Sequence, residues 1–438
     1  MNYTMAEVLE FTKENDVKFI RLAFFDIFGT MKNISIMPGD LPHAFENGIS
    51  FDGSAMKGFM NTDRSDLILV PDPTTLTVLP WRPSHGQVIR MFCKIKYPDG
   101  TPFEGDIRNL LYEAEKRAEN LGYKCKIGTE CEFYLFNTDE NGDPTLISHD
   151  HAGYCDIAPQ DKGENIRREI CLTLEEMGIS PENSHHEQGP GQNEIALKFS
   201  YPLQAADNFA NFKSVTKTIA ANNGLYASFM PKPLAEESGS GLHINLSLCK
   251  NEIDLFEKNV LKPSSEAESF MEGVLTRIPE ITAFLNPLTN SYARFGHFAA
   301  PRFITWSNQN RSQLIRIPAA HSKYSRMELR SPDPACNPHF AFTLLLHAGL
   351  DGIEEQLQLR PPVDRNLSAE WQQNLDISSL PKNLEAAIVL AENSNFVNHL
   401  LPIKVLEKYL STKCLECDLL AKAKNQINFE QDYYFKNI

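Results

Sequence analysis

The order of apolar and polar positions divides the chain into two differently patterned parts. In residues 1–100, short stretches of alternating or continuous apolar residues predict strands at 17–25, 67–70 and 88–95. Few helical patterns lie between them. A turn-rich break, Tyr-Pro-Asp-Gly-Thr-Pro at 97–102, follows the last of these strands. We therefore predict a small, sheet-rich domain over residues 1–100.

Beyond the break the pattern changes to a mixture of helices and strands. An apolar stripe predicts a helix that begins after Asp106 and ends at Gly122, because aspartate caps helix N-termini and glycine commonly ends helices. Similar patterns predict helices over 205–223 and 340–357. Strands alternate irregularly with these helices. The pattern therefore predicts an α+β domain with an antiparallel sheet over residues 104–438.

Two predicted strands of this second domain carry polar side chains on one face. Alternate residues of a strand share a face and lie roughly 6–7 Å apart. In 126–136, Glu130 and Glu132 therefore lie side by side. In 242–248, apolar residues alternate with His243, Asn245 and Ser247. One face of each strand thus collects groups that can bind a metal.

Two further segments repeat this feature. Glu187 and Glu194 flank a glycine-rich turn. In 326–330, alternate positions are Arg326, Glu328 and Arg330. Each segment also has a simpler interpretation. Paired carboxylates on a strand are commonly solvated, a single histidine is commonly a core residue, and alternating arginine and glutamate can form a surface salt-bridge ladder.

The joint occurrence of these segments favours a polynuclear metal site. Neighbouring carboxylates repel each other unless a cation lies between them. Hard oxygen ligands with little thiolate favour Mg2+ or Mn2+ over zinc. Such ions, together with arginines, are what phosphoryl transfer from ATP requires, because they neutralise charge on the transferred group. A solvated face would not need rigid glycines beside the carboxylates.

Composition limits the partners and the compartment. The chain has 438 residues, of which 42% are hydrophobic, enough for a large core and two domains. Its net charge of -15 and lack of a basic run argue against nucleic acid or an anionic membrane as a partner. No apolar stretch of about 18 residues and no signal peptide pattern occurs. The nine scattered cysteines indicate reduced thiols in the cytoplasm. We interpret the single CxxC, Cys414 with Cys417, as structural or incidental rather than as a zinc or redox pair.

Seven motifs, in order along the chain, resemble those of the glutamine synthetase family, and of its short bacterial type I enzymes in particular. They lie at 51–54 (FDGS), 128–133 (GTECEF), 185–187 with 191–194 (HHE and GQNE), 229–233 (FMPKP), 239–243 (GSGLH), 310–312 with 315–318 (NRS and IRIP) and 326–334 (RMELRSPDP). The resemblance runs from about residue 15 to residue 385.

The resemblance implies a fold, an activity and an assembly. The fold would be α+β, with an N-terminal β-grasp domain over 1–100 and a catalytic domain of the glutamine synthetase and guanido kinase type over 104–438, built on a curved antiparallel sheet. The activity would be that of an ATP-dependent glutamate–ammonia ligase, which makes glutamine through a γ-glutamyl phosphate in nitrogen metabolism. The partners would be glutamate, ammonia or an amine, ATP as co-substrate, and two or three Mg2+ or Mn2+ ions per active site. The chain would form a cytoplasmic homo-oligomer, typically a dodecamer of two hexameric rings.

The resemblance also assigns roles to individual residues. One metal site would use Glu132, Glu187 and Glu194, and the second would use Glu130, His243 and Glu328. Glutamate would be bound by Gly239, Arg294 and Arg330. The phosphates would face Arg311, Arg316 and Arg326, and the nucleotide pocket would be lined by Phe199 and Ser247. The predicted catalytic residues are Arg311 and Asp52, the latter binding ammonium from the neighbouring subunit and helping to deprotonate it.

The segment 294–301 departs from the family pattern. The family usually has a glutamate just before the Ala-Pro pair of this flap, where it closes the site and accepts an ammonium proton, but Ala299 stands there. Two other positions also depart from it: Ser238 stands where the family often has an asparagine, and Asn245 stands where a second histidine is common. Loss of the flap glutamate leaves room for a larger amine, whereas Asp52 would serve ammonium. Three functions remain: glutamine synthetase, a γ-glutamyl-amine ligase that uses a polyamine, ethanolamine or methylamine, and a catalytically silent ring protein.

Overall fold

The computed structural model describes residues 3–59, 65–81, 86–257, 264–318, 325–365, 367 and 377–438. The chain forms two compact units. The first unit comprises 1–110, 171–180 and 402–409, and the second comprises 111–170, 181–401 and 410–438. Each unit contains a β-sheet and helices.

The first unit is built on a six-stranded sheet. Its strands are β1 (Val17–Phe25), β2 (Met31–Ile36), β3 (Ile49–Asp52), β4 (Asp66–Pro71), β5 (Thr77–Val78) and β6 (Gln87–Lys96). Their order is β2-β1-β6-β4-β3, with β5 paired to β6, and β1 and β6 are parallel while the other pairs are antiparallel. The three predicted strands are confirmed as β1, β4 and β6. Two helices, α1 (Met5–Glu14) and α2 (Leu41–Asn47), also belong to this unit.

The second unit is built on a ten-stranded sheet. Its strands are β7 (Tyr123–Thr138), β8 (Pro144–Ser148), β9 (Pro181–His186), β10 (Gln192–Ser200), β11 (Leu225–Ser228), β12 (Leu242–Lys250), β13 (Ile253–Asp254), β14 (Trp306–Asn308), β15 (Ile315–Ile317) and β16 (Met327–Leu329). The main path is β14-β15-β16-β12-β7-β10-β9. All of its described pairs are antiparallel except β14 with β15, as predicted for this domain.

The predicted helices are also present. The helices that follow β6 are α3 (Ile107–Asn120), α4 (Glu164–Glu176), α5 (Pro202–Asn222), α6 (Ser265–Leu285), α7 (Pro338–Glu354), α8 (Leu384–Glu392), α9 (Asn395–Leu400), α10 (Ile403–Lys422) and α11 (Gln426–Tyr434). Asp106 Oδ1 accepts a hydrogen bond from the Asn109 N–H at the start of α3, and Gly122 follows its end with a φ of 84°. Within the described residues, no helix combines the length and apolar character needed to cross a membrane.

The register of the second sheet decides which polar side chains meet. Strand β7 lies between β12 and β10, so Glu130 is directly opposite His243, and Glu132 is directly opposite Glu194. Such opposite residues have their Cβ atoms about 4.5–5.5 Å apart and point to the same side of the sheet. The register therefore gathers polar groups from separate strands on one face.

Helices α6 and α7 approach each other closely at two glycines. A Cβ on Gly273 would lie 2.9 Å from the Gly352 Cα, and nearer still to the Ala348 carbonyl oxygen. We expect Gly273→Ala to lower the free energy of unfolding by about 2 kcal/mol, because overpacking outweighs alanine's better helix propensity. Urea unfolding measures the effect. The control is Gly39→Ala, since a Cβ there meets nothing within 4 Å. Equal unfolding midpoints for the two variants would contradict the close approach.

Candidate active site

A pocket of about 590 Å³ opens on the polar face of the second sheet. Carboxylates, histidines and arginines from separate chain segments line it. The predicted site residues in this lining are Glu130, Glu132, Glu187, Glu194, Gly239, His243, Arg294, Arg311, Arg316, Arg326 and Arg330. The pocket therefore brings together most of the residues that the sequence singled out. Glu328, Phe199 and Ser247 lie outside this lining, and Asp52 belongs to the first unit.

Two groups of side chains place their ligand atoms close enough to hold a metal ion. One atom each from Glu130, Glu194 and His243 lie within 4.8 Å of one another, and the same holds for His185, Glu187 and Glu194. The pairs Glu130 Oε2 with His243 Nδ1, and Glu187 Oε1 with His185 Nε2, are 3.2 and 3.0 Å apart. Because Glu194 belongs to both groups, the two candidate sites adjoin each other.

Glu132 is fixed by hydrogen bonds to one of its oxygens. Its Oε2 accepts from the Gly241 N–H at 2.7 Å and from Gln192 Nε2 at 3.2 Å. Burial raises the pKa of Glu132, and the charge of Glu187 adds to that rise. Glu132 lies in the same pocket as both groups, although it is a member of neither. Its predicted role as a metal ligand stays a prediction.

Glu328 is held by arginines. It forms a close ion pair with Arg330, and its Oε2 lies 2.6 Å from Arg316 Nη1. His243 Nδ1 is 3.9 Å from its other oxygen. Burial opposes ionisation, but the charges of Arg330 and the other cations outweigh it and lower the pKa of Glu328. Its predicted role in the second metal site also stays a prediction.

The crowding of carboxylates has an electrostatic cost. Burial and the charges of the neighbouring glutamates, Glu132 and Glu130 foremost, raise the pKa of Glu194 well above its usual range. Burial also opposes ionisation of Glu130, but hydrogen bonds from His243 and Asn245 outweigh it and lower its pKa. The carboxylate shared by the two groups is therefore the one that most needs a cation.

The donor set fits a hard divalent cation. Both groups consist of carboxylate oxygens and imidazole nitrogens, without a thiolate. Such donors suit Mg2+ or Mn2+, and a cation among them would remove the repulsion that raises the pKa of Glu194.

A third buried group, Asp150, Asp161 and His186, also has its ligand atoms within 4.8 Å of one another. Protein donors already occupy its oxygens. Asp150 Oδ1 accepts from His186 Nε2 and from the Gly191 N–H, both at 2.9 Å. Asp161 accepts two hydrogen bonds from Arg167. We interpret this group as a hydrogen-bonded support for the turn that leads to Glu194.

One side of the pocket is rich in arginine. Arg326 Nε donates to Asn245 Oδ1 at 2.9 Å, and its Nη2 lies 3.6 Å from Glu130 Oε1. Arg316 lies on β15 and Arg311 precedes that strand, with Arg311 exposed at the pocket. Guanidinium groups beside carboxylates that can hold a cation form a suitable surface for phosphate groups.

A glycine-rich loop borders the pocket near Arg294. Arg294 Nη1 donates to the carbonyl oxygens of Ser331 and Pro332 at 3.1 and 3.2 Å. A Cβ on Gly239 would lie 2.6 Å from the Pro231 carbonyl oxygen and 2.5 Å from the Arg294 side chain. Only glycine can stand this close to the Pro231 carbonyl and the Arg294 side chain. Because Gly239 lines the pocket and has no side chain, a ligand can reach its backbone.

Besides Glu328, three predicted residues lie outside the pocket lining. Ser247 Oγ donates to Asp254 Oδ2 at 2.9 Å, and the Phe199 ring lies against Gly128. Asp52 ends β3 with an exposed side chain whose Oδ1 accepts from the Ser54 hydroxyl and N–H at 2.7 and 2.9 Å. These hydrogen bonds lower the pKa of Asp52.

The pocket lining also includes polar residues that were not predicted as site residues, among them Tyr154, Asn183, His185 and Lys232. The signal for His185 was present, because it is two positions before Glu187, where alternation would place both on one face. Lys232 stands between two prolines in the FMPKP motif, which marks a constrained backbone. Tyr154 and Asn183 lie outside regular polar patterns, and nothing in the sequence singles them out.

Two family models match the chain. "Glutamine synthetase, beta-Grasp domain" matches residues 16–98, and "Glutamine synthetase, catalytic domain" matches residues 104–432. The chain belongs to the glutamine synthetase family. The predicted fold class, with a β-grasp and a catalytic domain, is thereby confirmed. Curated relatives named glutamine synthetase include that of Clostridium saccharobutylicum, 45% identical over 424 residues, and that of Methanosarcina mazei, 46% identical over 421 residues. These alignments cover 95% of this chain and 95% and 94% of the two relatives.

Solved structures are also similar to this chain in fold. A GmaS–ADP complex superposes with a TM-score of 0.87 at 28% identity and covers 99% of both chains. A cryo-EM structure of Plasmodium falciparum glutamine synthetase has a TM-score of 0.86 at 25% identity and also covers 99% of both chains.

The Asp150–His186 pair should stabilise this glutamine synthetase family member in a pH-dependent way. Both His186 nitrogens face oxygen acceptors, Asp150 Oδ1 and the Glu187 carbonyl, so the ring carries two hydrogens. Burial opposes both charges, but the pair's own interaction outweighs it, so the pKa of Asp150 is lowered and that of His186 is raised. Asp150 then contributes stability above its unfolded pKa of about 4, which is lost as pH falls. His186 contributes stability below its unfolded pKa of about 6.5, which is lost as pH rises through its raised pKa.

We therefore expect Asp150→Asn to cost about 3 kcal/mol, with the largest loss of thermal midpoint between about pH 4 and 6.5. The measurement is thermal unfolding across pH in the presence of EDTA. Asp139→Asn is the control, because Asp139 is exposed and accepts only backbone N–H groups from its own turn in the described structure. A loss that is small or independent of pH would contradict the buried ion pair.

The raised pKa of Glu194 leads to a second expectation. Without a cation, stability is lost as pH rises from the unfolded pKa of about 4.3 through the raised folded pKa, so the ionised cluster weakens the fold at neutral pH. We expect Glu194→Gln to raise the thermal midpoint in EDTA by about 1–3 °C and to abolish more than about half of the rise caused by Mn2+. The exposed Glu140→Gln should leave both values unchanged. A full Mn2+-induced rise in Glu194→Gln would exclude Glu194 as a shared ligand.

Proposed function

We propose that this chain is a glutamine synthetase, an ATP-dependent ligase that joins the side-chain carboxylate of glutamate to ammonia through a γ-glutamyl phosphate. The observation that carries the proposal is one pocket in which Glu130, Glu194 and His243 adjoin His185 and Glu187 beside several arginines. Its relation over nearly the full chain to proteins named glutamine synthetase supports the same activity.

The metal-binding residues would divide into two adjoining sites. We propose that Glu132, Glu187 and Glu194 serve one and that Glu130, His243 and Glu328 serve the other, with two or three Mg2+ or Mn2+ ions in all. When bound, these ions neutralise the charge of the phosphates during transfer. Glu328 would first have to loosen its contacts with Arg330 and Arg316, and the phosphates of ATP would offer those arginines a competing anion.

ATP would enter at the arginine-rich side. Arg311, Arg316 and Arg326 would hold the phosphates, and Phe199 and Ser247 would line the nucleotide pocket further along β10 and β12. The position of Ser247, two residues beyond Asn245 on the same face of β12, supports this direction. The structurally similar GmaS was solved in complex with ADP, which supports a nucleotide here.

Glutamate would bind between the glycine-rich loop and the buried arginines. Arg294 and Arg330 would hold its carboxylates, and the Gly239 backbone would contact the amino acid. The two arginines would orient glutamate so that its side-chain carboxylate lies in line with the terminal phosphate of ATP. Holding both reactants in this geometry makes their reaction effectively unimolecular. Transfer of the terminal phosphoryl group would release ADP and form an acyl phosphate. The amine would then attack its acyl carbon and displace inorganic phosphate.

Completion of the site would require assembly. We propose a homo-oligomer, a dodecamer of two hexameric rings, in which Asp52 of one subunit binds ammonium at the pocket of its neighbour. Asp52 is exposed at the end of β3, and its lowered pKa keeps it ionised to attract a cation. All nine cysteines are free thiols, which supports a cytoplasmic location.

A γ-glutamyl-amine ligase is the second candidate, and the flap favours it. Ala299 lines the pocket together with His297 and Phe298, at the position where the family usually has a glutamate. Alanine cannot accept a proton, and its small side chain leaves room for the substituent of a larger amine. ATP-dependent phosphate release, measured with ammonia, methylamine, ethanolamine and polyamines in turn, separates the two candidates. Turnover with ammonia alone selects glutamine synthetase, a preference for a larger amine selects the second candidate, and no release with any amine rejects both.

Restoring the flap glutamate tests its role directly. We expect Ala299→Glu to raise turnover with ammonia about tenfold or more, because a carboxylate at this place can accept the ammonium proton, and to lower turnover with larger amines. Ala299→Gln is the matched control, since glutamine has the same size but cannot serve as the base. An equal effect of both substitutions would show that only volume matters at the flap.

A further inference from the structure

Gln192 connects three parts of the active site. Its side chain is completely buried. Its Oε1 accepts a hydrogen bond from the Gly189 N–H at 2.9 Å, which closes the turn between β9 and β10. Its Nε2 donates to Glu132 Oε2 at 3.2 Å and to the Gly239 carbonyl oxygen at 3.1 Å. One amide therefore bonds to the turn, to a pocket carboxylate and to the glycine-rich loop.

The chemistry of these partners requires an amide in one orientation. The Gly189 N–H needs an acceptor, whereas the Glu132 carboxylate and the Gly239 carbonyl need donors. An amide supplies one acceptor and two donor hydrogens, and all three partners are satisfied. A carboxylate at position 192 would face two acceptors, and an apolar side chain would leave all three groups without this partner inside the protein.

Gln192 also completes a second connection between Glu132 and the loop. The Gly241 N–H donates to Glu132 Oε2 at 2.7 Å, and the Glu132 N–H donates to the Gly241 carbonyl at 3.0 Å. The loop is thus tied to Glu132 directly at Gly241 and through Gln192 at Gly239. Among the described hydrogen bonds, those to the Glu132 carboxylate fall on Oε2, so Oε1 stays available to a cation.

We propose that Gln192 is a positioning residue that couples cation binding at Glu132 to amino-acid binding at Gly239. A cation that draws Glu132 into place would, through Gln192, also fix the carbonyl of Gly239, and glutamate bound at the loop would in turn fix Glu132. Such coupling is reciprocal, so each ligand raises the affinity for the other by the same factor. This inference rests on the proposed function, because it takes Glu132 as a cation ligand and Gly239 as a glutamate contact.

The test measures the coupling factor itself. Mn2+ affinity is determined from the electron paramagnetic resonance signal of free Mn2+, with and without saturating glutamate. For the wild-type protein we expect glutamate to tighten Mn2+ binding about tenfold. In Gln192→Met, which has similar volume but no amide, we expect the factor to fall to about twofold or less. A purely structural role would lower the thermal midpoint in EDTA but leave the coupling factor unchanged.

Two further variants keep the outcome decisive. Gln313→Met is the matched control, because Gln313 is also buried and donates to the Arg365 carbonyl at 2.9 Å but lies outside the pocket lining, and its coupling factor should equal the wild-type value. If Gln192→Met does not fold, Gln192→Glu keeps the side-chain length but loses the N–H donors to Glu132 and the Gly239 carbonyl, so its coupling factor should also fall to about twofold or less. A wild-type coupling factor in Gln192→Met or in Gln192→Glu overturns the role of Gln192 alone. A wild-type protein that binds no Mn2+ overturns the proposed function as well.

Discussion

Repulsion among buried carboxylates is the constraint on which the active site depends. Glu130, Glu132, Glu187 and Glu194 reach one pocket from two strands, β7 and β10, and the turn between β9 and β10, and the rise in the pKa of Glu194 reflects its burial and their charges. Such a cluster persists only where the surrounding fold holds it and a cation compensates it. The fold holds the cluster through the surrounding glycines, the register of β7 and the Asp150–His186 pair. The oxygen and nitrogen donors of the cluster suit Mg2+ or Mn2+, and such a cation would compensate its charge.

Much of this arrangement could be predicted from the sequence, because strand alternation is local. The polar faces of 126–136 and 242–248 followed from alternation alone, and antiparallel pairing then placed Glu130 opposite His243. The strands and helices of both units were likewise predicted where the apolar period was clear. The family resemblance supplied what alternation cannot, namely the β-grasp domain and the association of segments far apart in the chain.

Other features could not be predicted, because they depend on which neighbour each polar atom finds in three dimensions. His185 joins Glu187 and Glu194, whereas His186, one residue later, turns to Asp150 and is structural. Glu328 pairs with arginines from its own strand end and from β15. In both cases the sequence shows a residue that can bind a metal or form an ion pair. Which partner it takes depends on strand register, burial and the direction of individual hydrogen bonds.

The flap poses a separate chemical problem from the metal pocket. The pocket can activate glutamate whichever nucleophile follows, because phosphoryl transfer involves only the acid and ATP. The nucleophile must then lose a proton as it attacks, and Ala299 cannot receive it. The proton acceptor must therefore come from another group. The imidazoles of His185 and His297 line this pocket, and Asp52 of a neighbouring subunit is the acceptor proposed above. We therefore expect the identity of the amine to depend on the flap around Ala299 rather than on the carboxylates of the pocket.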